Sequence, residues 1–232
     1  MKKNLVCFIV FLFALVSCVS VPISNTPKSI PMGEWKYNFI SDGIIVGDAN
    51  VISEENDEHY ILTMTMDIER ENNVRTLSTQ VTVETKSFKP INRKCQHLTI
   101  NNDVLHVNEY VATFNDNDVT VSINQKTKQI KIDKPFMLTG NYFQLTLIEK
   151  GCSVGSSAEA DVYLPCMRLN NTINAKETVV GIEQIIINGQ NENLLHTIQE
   201  YDGEKIADAY YDKNGIIRKL IYEDNLEMII VE

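Results

Sequence analysis

Thiols and imidazoles are the side chains of this chain whose spacing could support metal or redox chemistry. The sequence holds five cysteines and four histidines. One thiol and one imidazole, Cys95 and His97, are two residues apart, and alternation along a strand would place them on the same side. Because two ligands do not close a tetrahedral metal site, we interpret Cys95 as a buried or oxidised thiol and expect no bound metal.

The familiar catalytic motifs are missing from the sequence. There is no G-x-S-x-G nucleophile motif, no H-E-x-x-H zinc motif and no glycine-rich phosphate loop. The run from Asn115 to Asp118 lacks the glycine and the distal glutamate of an EF-hand calcium loop. The acidic stretch from Glu54 to His59 is typical of a solvated loop, with weak cation binding as the alternative. The sequence therefore predicts a protein that is not an enzyme and that needs no cofactor.

The amino terminus has the pattern of an export signal. Lys2 and Lys3 are followed by an uninterrupted apolar run from Leu5 to Val16. As a helix this run would rise about 18 Å, which is well short of the ~30 Å hydrocarbon core of a bilayer. It is therefore predicted to be the hydrophobic region of a signal peptide.

The end of that run, Leu15-Val16-Ser17-Cys18, resembles the lipobox of bacterial lipoproteins. The resemblance implies that residues 1–17 are a cleaved signal peptide and that Cys18 carries the acyl chains that anchor the protein to a membrane. Val19, in place of an aspartate, favours the outer membrane over the inner one in a cell that has both. The alternatives are an ordinary secretory peptide with a chance cysteine, or a buried amino-terminal helix.

The segment after Cys18 is interrupted by Pro22, Pro27 and Pro31, which prevents a periodic apolar face. We expect residues 18–32 to form a flexible tether that begins with the lipidated cysteine. Residues 33–232 are expected to form one antiparallel β domain.

Turn signals and alternation predict a mainly β fold for that domain. Asn188-Gly189 and Asp202-Gly203 are two of the signals, and such pairs supply the positive φ of two-residue hairpins. The expected fold is a curved antiparallel meander, a half-barrel or open barrel. Its apolar face is the candidate ligand-facing surface, with ordinary core packing as the alternative: Trp35, Tyr37, Phe39, Tyr60, Leu62, Met64, Met66 and Ile68.

The middle of the chain allows more than one interpretation. Residues 139–150 fit a short helix that covers the sheet, but they also alternate as a strand would. Beyond them, Cys152 and Cys166 flank a small polar loop. A disulfide between these two cysteines would restrict the unfolded state by about 3 kcal/mol, and the alternative is that all the thiols are reduced.

Short patterns along the mature chain, among them Gly33-Glu34-Trp35-Lys36-Tyr37 and Tyr211-Asp212-Lys213-Asn214-Gly215, resemble an uncharacterised family of bacterial extracytoplasmic β proteins. That family is similar in fold to the half-barrel carriers of the lipoprotein-localisation system, in which a curved sheet wraps a helix or a lipid. The resemblance implies a fold and brings no catalytic residues.

The net charge of −10 makes nucleic acid an unfavourable partner. We therefore expect a membrane-anchored lipoprotein of the cell envelope, facing the periplasm or the surface. It would act as a non-catalytic binding module for a hydrophobic ligand, such as a lipid or acyl chain, or for an envelope protein. The alternatives are a structural lipoprotein that acts through surface contacts alone and an enzyme with an unrecognised site.

Overall fold

The structure is a computed structural model that describes residues 31–70, 73–101, 104–138, 147 and 150–231. The predictions for the signal peptide, for Cys18 and for nearly all of the tether concern residues outside this described part. The same holds for most of the predicted helix at 139–150. From that segment the structure describes Leu147, which is helical, and Lys150, which lies in a turn.

Most of the described chain forms β-strands, and no helix within it is long and apolar enough to cross a bilayer. The strands are β1 (Gly33–Ser41), β2 (Ile44–Glu55), β3 (His59–Arg70), β4 (Asn73–Glu84), β5 (Pro90–Asn101), β6 (Val104–Asn115), β7 (Asp118–Ile123), β8 (Lys126–Lys131), β9 (Ser157–Val162), β10 (Ile173–Ile187), β11 (Gln190–Tyr201), β12 (Glu204–Tyr211), β13 (Ile217–Tyr222) and β14 (Leu226–Ile230).

These strands form one antiparallel sheet with the order β8-β7-β6-β5-β4-β3-β2-β1-β14-β13-β12-β11-β10-β9. Strands that follow one another in sequence pair with each other from β1 to β8 and again from β9 to β14. We call these two sets of strands the two arms of the sheet. The arms meet where β1 pairs with β14, from Tyr37 opposite Ile230 to Ser41 opposite Leu226. We call this pairing the central seam. The predicted antiparallel meander is confirmed, with the addition of the seam.

The sheet does not close into a barrel, because its two edge strands, β8 and β9, do not pair with each other. It nevertheless curls, since the ring of Tyr163, which follows β9 in one arm, packs against the ring of Phe114 on β6 in the other arm, with the ring centroids 6.0 Å apart. After β8 the chain runs beside β9, where Met137 bridges Val162 and accepts a hydrogen bond from the Tyr163 amide at 2.9 Å. This short contact covers part of the β9 edge.

Two hairpins show why the turn signals were informative. Asn188 and Gly189 have φ values of 48° and 80°, and Asp202 and Gly203 have φ values of 51° and 84°. Two consecutive positive φ values define the type I′ turn, whose twist matches that of the flanking strands. The predicted two-residue hairpins at these positions are confirmed.

Gly47 on β2 lies where the neighbouring strand leaves no room for a side chain. A Cβ atom there would be 2.0 Å from the carbonyl oxygen of Asp67 and 2.8 Å from the Cα of Ile68. On the other side of β2, the register with β1 shifts between Phe39 and Ile40. The irregular pairing and the close backbone contact together require glycine at this position.

The buried side chains form several clusters. The main cluster joins β1, β2 and β9–β14 with Leu147 and Cys152. The β3–β4 cluster contains Tyr60, Val81, Val83 and Leu138. Two further clusters are centred on β6–β8 with Tyr163 and on β9–β10. The core of the described chain therefore consists of four clusters, and the main one contains residues of both arms.

Candidate functional site

The predicted ligand-facing residues lie on β1 and β3, with β2 between them. The strand registers place most of them in three rows across these strands, which are Trp35-Val51-Met64, Tyr37-Ala49-Met66 and Phe39-Gly47-Ile68. Leu62 and Tyr60 continue the same face of β3. We call these rows, with Leu62 and Tyr60, the apolar strip.

Burial divides the apolar strip into two groups. Tyr37, Phe39 and Tyr60 are 3%, 2% and 5% exposed, so they are ordinary core residues. The other five predicted residues are half-buried: Trp35, Leu62, Met64, Met66 and Ile68. The structure thus brings the predicted residues together, and it leaves part of their apolar surface uncovered by described residues.

Core packing along the strip is interrupted at Met64. Met66 packs against the main cluster and Leu62 packs against the β3–β4 cluster. Met64 lies between them on the same face, and it belongs to none of the clusters formed by the described residues. Packing among the described side chains therefore stops at Met64 and resumes on either side of it.

A buried carboxyl group lies in the other arm. Glu177 on β10 is 2% exposed. Its Oε1 accepts hydrogen bonds from Thr197 Oγ1 at 2.6 Å, from Tyr211 Oη at 2.8 Å and from Gln199 Nε2 at 3.4 Å. Charge-assisted hydrogen bonds of this kind are stronger than neutral ones, so the three donors form a site that supports a carboxylate.

Burial is the largest influence on the pKa of Glu177 and raises it, while the hydrogen bonds from Thr197, Tyr211 and Gln199 oppose the rise. Burial also raises the pKa of the Cys152 thiol to about 11, and the nearby Glu177 charge adds to this. Cys152 is therefore a protonated thiol at neutral pH, packed within the main cluster.

Cys95 and Cys166 form a pair of thiols. Cys95 on β5 is buried, whereas Cys166, in the turn after β9, is partly exposed. Their mutual hydrogen bond lowers the pKa of Cys166 and raises the pKa of Cys95. Burial opposes the lowering at Cys166, and the guanidinium of Arg93 supports it.

The structure does not contain the predicted disulfide between Cys152 and Cys166. Both thiols are free, and so is Cys95. Cys152 packs in the main cluster, while Cys166 lies against Cys95. The spacing of the two residues around a polar loop did not reveal that β5 supplies the neighbouring thiol.

The remaining sequence candidates have ordinary polar contacts. His97 Nε2 lies 3.2 Å from Thr99 Oγ1. In the acidic stretch, Asn56 Oδ1 accepts hydrogen bonds from the amides of Glu58 and His59 at 3.0 and 2.7 Å, as in a solvated turn. Within the described part of the chain, no group of three or more histidine, cysteine, aspartate or glutamate side chains is placed to hold a metal ion.

His196 ties three strands together. Its Nδ1 is 2.7 Å from Glu183 Oε1 on β10, and its Nε2 is 2.8 Å from Asp208 Oδ1 on β12. The ring also stacks on Tyr210, with centroids 4.6 Å apart and planes at 15°. Both ring nitrogens and one ring face are therefore occupied by protein groups.

Sequence reasoning missed Glu177 and Arg93. Glu177 occupies the same face of β10 as Ala175 and Val179, both of which are buried, and Arg93 occupies the same face of β5 as Cys95. A single charge at an apolar position of an alternating strand was the signal that could have identified them.

No family model matches this chain, and no curated protein matches it by sequence. Among solved structures, it is similar to a β-barrel-like protein of the domain of unknown function DUF1849 from Brucella abortus. The TM-score is 0.58 and the identity 12%, over 86% of this chain and 95% of that one. A DUF1089 family protein from Pseudomonas aeruginosa aligns over 82% of this chain and 89% of its own, with 11% identity and a TM-score of 0.35. The first similarity supports a β-barrel-like fold.

Proposed function

We propose that the protein is a membrane-anchored extracytoplasmic lipoprotein whose apolar strip binds a lipid or acyl chain without catalysing a reaction. The lipobox-like sequence that ends at Cys18 supports the anchor. The observation that carries the ligand proposal is the interruption of core packing at Met64. There, the half-buried side chain of Met64 lies between two packed clusters.

An acyl chain suits the strip because the half-buried residues of the strip offer it apolar contact. Each methylene group that leaves water contributes about 0.8 kcal/mol to binding. Met64 and Met66 have unbranched thioether side chains, which adapt to guests of different shape. Trp35, in the same row as Met64, adds a large flat contact surface.

Ligand binding is tested with a fluorescent fatty acid and the full chain carrying Cys18→Ser, which removes the anchor and the need for detergent. We expect saturable uptake by this parent form. Met64→Glu should weaken binding roughly tenfold, because an added charge on the strip would have to be desolvated. Thr65→Glu is the matched control, since Thr65 is exposed and points to the other face of β3. Equal binding by Met64→Glu and the parent would refute the ligand proposal.

The anchor has a separate test. The unaltered chain should be found in the membrane fraction, with an acylated amino-terminal peptide that begins at Cys18 in mass spectrometry. Cys18→Ser should move the protein to the soluble fraction. An unmodified amino terminus would refute the lipoprotein assignment without affecting the fatty-acid measurement.

The β5–β6 hairpin favours a second function, which is contact with an envelope protein. Near its turn, on one face of the hairpin, Ile100, Leu105 and Val107 are 37%, 56% and 43% exposed. Apolar groups that cluster on a surface mark interaction sites. A photo-crosslinking group at Leu105 should trap one protein in intact cells, and the same group at the neighbouring, exposed His106 should not. Equal trapping from both positions would contradict this function.

A further inference from the structure

We infer that Cys95 and Cys166 are a disulfide-forming site that cross-links the two arms of the sheet when the chain meets an external disulfide. This inference goes beyond the proposed function, and it requires neither a bound ligand nor a lipid anchor.

The two thiols come from opposite arms and meet through the curl of the sheet. Cys95 lies on β5, between Thr79 on β4 and Tyr110 on β6. Cys166 follows β9, which is the last strand of the other arm. Three residues before Cys166, the ring of Tyr163 lies 6.0 Å from the ring of Phe114 on β6, and β6 pairs with β5 beside Cys95. This packing brings the turn of Cys166 to β5, where the two thiols are close enough to shift each other's pKa. A disulfide requires a close approach of two side chains, and Cys152 instead packs within the main cluster.

The turn that carries Cys166 is held by contacts that do not involve sulfur. The Leu164 carbonyl accepts a hydrogen bond from the Arg168 amide at 2.8 Å. Tyr163, which is fully buried, donates its hydroxyl to the Leu169 carbonyl at 2.7 Å. Because these contacts fix both ends of the turn, they hold Cys166 against β5.

The surroundings identify Cys166 as the nucleophile of the pair. It is partly exposed, whereas Cys95 is buried, so an external disulfide reaches Cys166 first. The hydrogen bond from Cys95 and the charge of Arg93 both favour the Cys166 thiolate, against the effect of burial, and the thiolate is the reactive form. Tyr110 and Tyr201 are the other titratable groups close to the pair, and burial raises the pKa of both, so they remain neutral.

The reaction is an ordinary thiol–disulfide exchange with a disulfide RSSR as the oxidant. The Cys166 thiolate attacks one sulfur of RSSR, so that a bond forms between Cys166 and SR and the first RS⁻ leaves. Cys95 then gives up its proton and attacks the sulfur of Cys166, which expels the second RS⁻. The protons lost by the two cysteines end on the two RSH molecules. The protein is oxidised by two electrons, and RSSR is reduced.

The test equilibrates the full chain with oxidised or reduced glutathione, blocks the free thiols by alkylation and digests the protein without reduction. With oxidised glutathione we expect a peptide pair that joins Cys95 to Cys166, and with reduced glutathione we expect both residues to be alkylated. The cross-link closes a loop of about 70 residues, so the oxidised protein should melt roughly 10 °C higher than the reduced one.

Two variants sharpen the test. Cys95→Ala should leave Cys166 as a mixed disulfide with glutathione and should abolish the difference in melting temperature. Cys152→Ala, the matched control, should keep both the cross-link and the difference. Alkylation of both Cys95 and Cys166 after treatment with oxidised glutathione, or a link from Cys166 to any other cysteine, would overturn the inference. The peptide measurement on the unaltered chain decides the matter even where a variant does not fold.

Discussion

Removing the hydroxyl of Tyr211 should destabilise the protein in a way that depends on the charge of Glu177. The hydroxyl donates to Glu177 Oε1 at 2.8 Å, and it also accepts a hydrogen bond from Gln199 Nε2 at 3.2 Å. Tyr211→Phe keeps the buried ring and removes only these contacts. A hydrogen bond to a charged group contributes about 1.5–3 kcal/mol, so we expect a loss of about 2 kcal/mol while Glu177 is ionised.

The loss should grow with pH. Because burial raises the pKa of Glu177, the folded protein binds a proton more tightly than the unfolded chain does. The unfolding free energy of the unaltered protein therefore falls as the pH rises from the ordinary glutamate pKa through the raised one. The Tyr211 hydroxyl favours the carboxylate, so Tyr211→Phe raises the pKa of Glu177 further and extends the fall to higher pH.

The assay is urea unfolding at several pH values between 5 and 8, followed by the fluorescence of Trp35, the single tryptophan of the chain. Tyr163→Phe is the matched control. Its hydroxyl donates to a neutral backbone carbonyl, so it should cost about 1 kcal/mol at every pH. The reasoning is refuted if Tyr211→Phe loses the same free energy at all pH values, or if the loss persists undiminished in a Glu177→Gln background.

Three further changes test the fold. Gly47→Ala should lower the unfolding free energy by about 3 kcal/mol or more in urea titration, because the new Cβ would overlap the backbone of β3; unchanged stability would contradict the close approach. Arg218→Lys should cost about 1 kcal/mol in the same assay, since lysine cannot reproduce the two hydrogen bonds to Glu192 at 2.9 and 3.1 Å. His196→Phe should keep the stacking on Tyr210 but leave two carboxylates without their imidazole partner, and we expect a loss of about 1–2 kcal/mol. A more stable His196→Phe would show that the carboxylates gain nothing from the ring.

The fold class could be predicted because its determinants are local. A pair such as Asn188-Gly189 specifies its own turn, and alternation from Tyr60 to Ile68 specifies which residues share a face. The apolar strip followed from the same logic, since β1, β2 and β3 are neighbours in sequence as well as in the sheet. The degree of burial along the strip was not predictable, because it depends on what packs from the other arm.

Local sequence patterns could not predict the contacts between the two arms. The pairing of β1 with β14 joins the first and last strands of the described chain. The alternation within each of these strands does not indicate which strand it pairs with. The position of Cys95 beside Cys166 depends on the curl of the whole sheet, and connectivity among cysteines cannot be deduced from their spacing. Glu177 left a sequence signal, but its three hydrogen-bond donors come from β11 and β12 and required the structure.

The central seam also determines the order in which the chain can finish folding. Hairpins within each arm close short loops and form quickly, whereas pairing β1 with β14 must bring distant segments together. Until β14 has been synthesised, one edge of β1 has no strand to pair with, and an unpaired edge is a template for aggregation. The β1 edge therefore stays open for pairing until β14 is in place.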